Sequence, residues 1–340
     1  MPNRSPVVSF RLRAGLVLIA ASAACAAGVL ACSNDDDTSP AKDAGSDATT
    51  AKLDSGTSPL LDASPILDAS PPVDADVDAG RVFSTDPTTF FGASRCADSG
   101  TLFCDGFESS FDASAYSQAV STGDTLAIDT SQFARGSSSL HVLLNGPGEA
   151  ELVLKSIFPV VDDRYFGRVF VRFHQVPRAP ATYAHWTFAA ATGTGQAGET
   201  RLSSQFESSG KSIGNLFSVG TDTGSEDGGT GDWTNNDKDP GPDGSAPEVI
   251  PVDQWLCIEW MNDGTADRTD FWWDGVDHPS LQTYVDVPGR AKDAGYYLPT
   301  YTQAWIGLAV YGETGQPTNQ PYEAWFDEMA YDTQRIGCSN

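Results

Sequence analysis

Apolar and polar residues alternate in short runs along most of the chain. Arg168-Val169-Phe170-Val171-Arg172-Phe173-His174 sets Val169, Val171 and Phe173 on one side of an extended backbone, and Arg168, Arg172 and His174 on the other. The same period of two predicts strands over Ser139–Leu144, Glu151–Phe158, His185–Ala191, Arg201–Phe206 and Asn215–Val219. It predicts further strands over Trp255–Met261, Thr269–Trp273, Gln303–Tyr311 and Glu323–Tyr331. Each run is bounded by Gly, Pro, Asn or Asp, and hardly any window holds a helical period. Ten short strands in one stretch imply an all-β domain of two packed antiparallel sheets, a sandwich or jelly roll. Thr221–Pro247, dense in Gly, Asp, Asn and Pro, breaks the rhythm and reads as a surface loop, mobile or ordered by metal.

The first quarter of the chain has a different pattern. Arg4, Arg11 and Arg13 precede an apolar run, Ala14–Ala31, which ends in Val29-Leu30-Ala31-Cys32. Positive start, apolar middle and small residues before a processing point are the order of an export signal. With a cysteine after the cut, it resembles the lipobox of bacterial lipoproteins, and Ser22-Ala23-Ala24-Cys25 is a weaker competing site. The resemblance implies acylation of Cys32, and two or more acyl chains make such anchoring stable. Ser33 after that cysteine fits the sorting rule for an outer-membrane destination in the bacterial cell envelope. Residues 33–80 hold eleven Asp among Ala, Ser, Thr and Pro, with Leu-Asp-Ala-Ser-Pro repeated at 61–65 and 67–71. Such a segment buries too little apolar surface to offset chain entropy, and its charges extend it. The expected organisation is a lipoprotein signal peptide over 1–31, a disordered acidic linker over 32–80 and a β domain over 81–340.

Charge and cysteine content narrow the chemistry. A net charge of −26 opposes binding to a phosphate backbone, so nucleic acid is not an expected partner, and the membrane is met through the lipid alone. The four histidines, at 141, 174, 185 and 278, form no pair at zinc spacing. Setting aside Cys25 and Cys32, four cysteines remain, and an exported domain should oxidise them. Of three possible pairings, Cys96 with Cys104 closes a short local loop, and Cys257 with Cys338 ties the chain's last residues to a core strand.

Cys104-Asp105-Gly106-Phe107-Glu108, then Arg135-Gly136-Ser137-Ser138-Ser139-Leu140-His141-Val142, then Trp325-Phe326-Asp327-Glu328-Met329 form an ordered set of motifs. They resemble the concanavalin A-like jelly rolls of carbohydrate-binding modules and polysaccharide lyases. The resemblance runs nearest to the core domain of the fungal cellulose-induced protein, with its glucuronan- and alginate-lyase relatives. That family implies a structural Ca²⁺ held by Glu108, Ser137 or its neighbours, and Asp327, and Ca²⁺ wants six to eight oxygen ligands.

The resemblance also implies β-elimination on a uronic-acid polysaccharide. A base takes the proton beside the carboxylate, a cation or amide neutralises that carboxylate, and an acid protonates the leaving oxygen. Alternation puts His185, Thr187 and Ala189 on one strand face, Arg201, Ser203 and Gln205 on another, and Trp305, Gly307, Ala309 and Tyr311 on a third. Arg201 and Gln205 are the expected neutralising groups, with His185 or Tyr311 as base or acid. Glu199-x-Arg201 keeps half of the Arg-x-Glu-x-Arg of alginate lyases, and the chain has no Gln-x-His. The alternative on the same fold is a non-catalytic carbohydrate-binding or adhesion lipoprotein, and fold alone decides neither.

Overall fold

The computed structural model describes residues 82–340 except 99, 179–180, 182, 196, 208–214, 225–229, 238, 240–248, 284–295 and 315–319. Only the backbone is described at 98, 207, 223–224, 230–234 and 311–314. The signal segment, Cys32 and the acidic linker lie outside the described residues.

The strands are β1 (Phe103–Asp105), β2 (Tyr116–Val120), β3 (Thr125–Asp129), β4 (Ser139–Leu144), β5 (Gly148–Leu154), β6 (Arg164–Gln175), β7 (Tyr183–Thr194) and β8 (Ala197–Glu207). They continue with β9 (Leu216–Gly224), β10 (Thr230–Asn236), β11 (Trp255–Asp263), β12 (Arg268–Trp273), β13 (Val276–Asp277), β14 (Thr300–Thr314) and β15 (Tyr322–Asp332). Short 3₁₀ turns are the only helical elements among the described residues. One sheet runs β13-β12-β11-β6-β15-β4-β3, with β1 also paired to β15; the other runs β10-β9-β8-β7-β14-β5-β2. Every strand pairing is antiparallel.

The core lies between the sheets and follows the alternation. Val169, Val171 and Phe173 of β6 face Trp186 and Phe188 of β7. Phe173 meets those two rings edge-on at 5.2 and 5.5 Å between centroids, a geometry that aromatic quadrupoles favour. Phe217 of β9 meets Trp273 of β12 in the same way at 5.1 Å. Gly167 of β6 stands opposite Trp260 of β11, and a Cβ there would overlap the indole, so a bare position makes room for a large ring.

The insert differs from expectation. Part of Thr221–Pro247 continues β9, and part forms β10, which pairs with β9 from Thr230–Gly224 to Asn236–Ser218. Backbone pairing at a sheet edge supplies hydrogen bonds that the insert's weak β propensity does not signal.

Several register shifts interrupt the alternation, and two of them change which of the expected side chains face outward. On β7 the register shifts between Thr187 and Ala189, so Phe188 and Ala189 both turn into the core. The expected trio of His185, Thr187 and Ala189 therefore splits, with Ala190 taking the outward place. On β15 the register shifts between Asp327 and Ala330, and Glu328 adopts φ +47°. The inward residues change from Tyr322, Ala324 and Phe326 to Met329 and Tyr331, which leaves Asp327 and Glu328 pointing the same way.

Candidate functional site

The outer face of the seven-stranded sheet, turned away from the core, carries the predicted groups. His185 of β7 pairs with Gln205 of β8 on one side and with Tyr311 of β14 on the other. Cross-strand neighbours have Cβ atoms about 5 Å apart, so these three positions form one row. The row beside it holds Ser218, Ser203, Thr187 and Ala309. The next holds Gly220, Arg201, Ala190, Trp305 and Val153. Although this face meets no other sheet, His185 is only 5% exposed, and Thr187, Ser203 and Ser218 are 0% exposed. These hydroxyl side chains and the imidazole are closed off from solvent on the outer side of the sheet. Trp305, Val153, Ala190 and Ala309 form an apolar cluster on the same side.

Arg201 is not beside His185. It lies four residues from Gln205 on β8, about 13 Å along the strand at 3.3 Å per residue. Its Nε donates to Glu199 Oε1 at 2.6 Å. Gln205 is thus the amide adjacent to the imidazole, and Arg201 serves a different part of the face. Glu151 of β5, opposite Gly307, shares this outward side and was not among the expected groups. Its alternation with the core residues Leu152 and Leu154 carried the signal, because an acid at that phase must face outward. Buried Ser203 Oγ has no hydrogen-bond partner among the described residues.

The residues that the resemblance assigns to Ca²⁺ meet at one turn. Glu108 accepts from Ser137 N at 2.9 Å and from Ser137 Oγ at 2.6 Å. Asp327 Oδ2 accepts from Ala134 N at 2.8 Å and Arg135 N at 2.9 Å, and Oδ1 from Glu328 N at 2.7 Å. Backbone N–H groups and the Ser137 hydroxyl face these carboxylates, and the positive charges at this junction are guanidinium groups. Arg135 Nη1 lies 2.9 Å from Glu328 Oε2, and Arg168 Nη2 lies 3.4 Å from the same oxygen, with all three side chains 0% exposed. Glu328 Oε1 accepts from Ser94 Oγ at 2.5 Å and Arg95 N at 2.9 Å. Arg135 also donates to the carbonyls of Phe90, Cys338 and Asn340, and Arg168 to those of Gly337 and Asn340. The bulge at Asp327–Glu328 aims one acid at the turn and the other at this cluster.

The remaining expected groups have structural surroundings. Arg168, Arg172 and His174 share a face of β6, and it is the outer face of the eight-stranded sheet, not the sheet that carries Arg201. Arg172 and His174 both pair with Asp253, at 3.1 and 2.7 Å. Both expected disulfides are present, Cys96–Cys104 and Cys257–Cys338. Beside the second, Glu259 accepts from Arg335 Nη2 at 3.0 Å and from Gly337 N at 2.6 Å.

No protein-family model matches the chain, and no curated protein matches it in sequence. Solved structures similar in fold include the cellulose-induced protein Cip1, at 21% identity over 69% of this chain and 99% of that one, with a TM-score of 0.49. They include an endo-β-1,4-glucuronan lyase from the fungus Trichoderma reesei, at 14% identity over 71% and 99%, with a TM-score of 0.46. The alginate lyase Aly36B matches at 13% identity over 58% and 82%, with a TM-score of 0.34.

Proposed function

We propose that the outer face of the seven-stranded sheet binds a polysaccharide, and that the row His185–Gln205–Tyr311 acts on an acidic one by β-elimination. The row carries the reading. A neutral imidazole can take the proton beside a uronate carboxylate, the adjacent amide can hydrogen-bond that carboxylate, and a phenol can protonate the leaving oxygen. In that step the C–H bond breaks to imidazole, a carbon–carbon double bond forms, and the C–O bond opens as the phenol gives up its proton. Burial of His185 excludes water and strengthens each of these interactions. No step is routed through Ca²⁺.

Attachment of the chain to a bacterial envelope through Cys32, with the acidic linker as a stalk, belongs to the same proposal. The charged start and apolar run before Cys32 support it, and the two disulfides suit an oxidising compartment. A second reading, binding without cleavage, is favoured by one observation: the Arg201 guanidinium is tied to Glu199 and stands away from His185.

The deciding experiment tracks ultraviolet absorbance of the new double bond with glucuronan, alginate and pectate. The proposal expects a rise on a polyuronate that His185→Ala and Gln205→Ala each reduce by about 100-fold or more. Retained binding with no absorbance change on any polyuronate would replace cleavage by the second reading.

A further inference from the structure

One half-buried acid on this face has no role in holding the structure together. Asp237, Glu259, Asp270, Asp327 and Glu328 are buried, and each has a cationic or N–H partner. For Glu151, no hydrogen bond or ion pair is found among the described residues. Its cross-strand neighbours are Ala119 of β2 and Gly307 of β14, so a gap flanks it on both sides. Gly307 has φ +147°, and a Cβ there would overlap the Ala150 carbonyl, so the backbone keeps that position bare. Its carboxyl is thus reachable from solvent and free to meet a ligand on this face.

We propose that Glu151 selects the charge of the bound sugar: carrying its proton, it donates a hydrogen bond to the carboxylate of an acidic unit lying across the face. This rests on the reading of the face as a polysaccharide site. A hydrogen bond to an ionised acceptor is about twice as strong as a neutral one, so a protonated acid recognises a uronate well. Once ionised, the same group repels it.

The surroundings keep the proton in place. Burial first, and then the negative charges of Glu149 and Glu199, push the Glu151 carboxyl up to about 8. On β5 the facing charge is Glu149, and on β8 it is Glu199 with Arg201. Ser117 and Ala119 of β2, and Trp305, Gly307 and Ala309 of β14, bring no titratable group.

Two measurements on the full chain test this. The first is titration of the glutamate carboxyl carbons by NMR without sugar, with Glu151→Gln identifying the resonance. A midpoint well above the ordinary carboxylate range is expected, and a midpoint near 4.5 overturns the proposal whatever the sugar. The second compares affinity for a short oligoglucuronate and a neutral xylo-oligosaccharide across the same pH range. Affinity for the acidic sugar should fall about tenfold one pH unit above the Glu151 midpoint, while the neutral sugar is unaffected. Glu151→Gln keeps a donor and loses the charge, so it should bind the acidic sugar at neutral pH and abolish the fall. A fall that persists in that variant belongs to His185 or Tyr311 and overturns the role of Glu151. Binding of the neutral sugar alone overturns it too, yet leaves the face a polysaccharide site. If neither sugar binds while the carboxyl still titrates high, the polysaccharide reading itself fails, and the role of Glu151 goes with it.

Discussion

Replacing Glu328 with Gln should lower the thermal stability of the protein substantially. The side chain is fully buried, and its Oε2 is the negative partner of Arg135 at 2.9 Å and Arg168 at 3.4 Å. Gln keeps the shape, and its carbonyl oxygen can still accept from Ser94 Oγ and Arg95 N. Its amide then points two N–H donors at two guanidinium groups in a buried site. Removing one member of a buried pair costs about 3–5 kcal/mol, because the remaining charge is left uncompensated. For a domain of this size each kcal/mol moves the midpoint by about 2–4 °C, so a fall of roughly 10 °C is expected. Scanning calorimetry at pH 7 reads it, and a drop below about 3 °C would refute the argument that this pair carries the junction. The acid limb gives an independent check. Burial alone would raise the Glu328 carboxyl, but bonds from Ser94, Arg95 N and Arg135 together hold it below its ordinary 4.5. A folded-state value below the unfolded one means that this stability is present above pH 4.5 and is lost as pH falls through the folded value. The wild type should therefore lose stability on acidification below 4.5 more steeply than the Gln variant.

Two further outcomes are expected. Opening the Cys257–Cys338 bridge by Cys338→Ser removes an 81-residue closure and should cost about 4 kcal/mol on the chain-entropy account, read by urea denaturation against the oxidised wild type. Cells expressing the gene and fed a labelled fatty acid should label the wild type, not Cys32→Ala, and the variant should leave the membrane fraction; retention of label would remove the anchor from the proposal.

The alternation in the sequence was enough to locate the core and most strands, because burial on one face of a strand fixes its register. Val169, Val171 and Phe173 are an example, as is Ser139–Leu144, which forms β4 as read. What the pattern could not show was where the period slips. A bulge adds one residue without altering composition, so Ala189 was assigned outward, and the pointing of Glu328 beside Asp327 was invisible. Short edge elements such as β2 and β10 were missed for a related reason. Their stability comes from a neighbour's backbone: the burial of Tyr116–Val120 does not alternate cleanly, and Thr230–Asn236 carries a composition typical of loops. For the face itself, the phase of Arg201, Ser203 and Gln205 was legible, but the partner of Arg201 and the isolation of Glu151 depend on how the strands are set beside one another.

The position of β15 bears on when the chain can close its core. It is the last strand in sequence, yet it sits in the middle of its sheet, between β6 and β4, and it also receives β1. Until residues 322–332 have emerged, the eight-stranded sheet is two separate halves with open edges, and the core has no lid over that seam. Contacts this distant in sequence form slowly. A chain emerging from its beginning would thus keep this sheet open until nearly all of it was available. Completion of the sheet then becomes a late, cooperative event, and the Cys257–Cys338 bridge, whose second cysteine follows β15, closes with it.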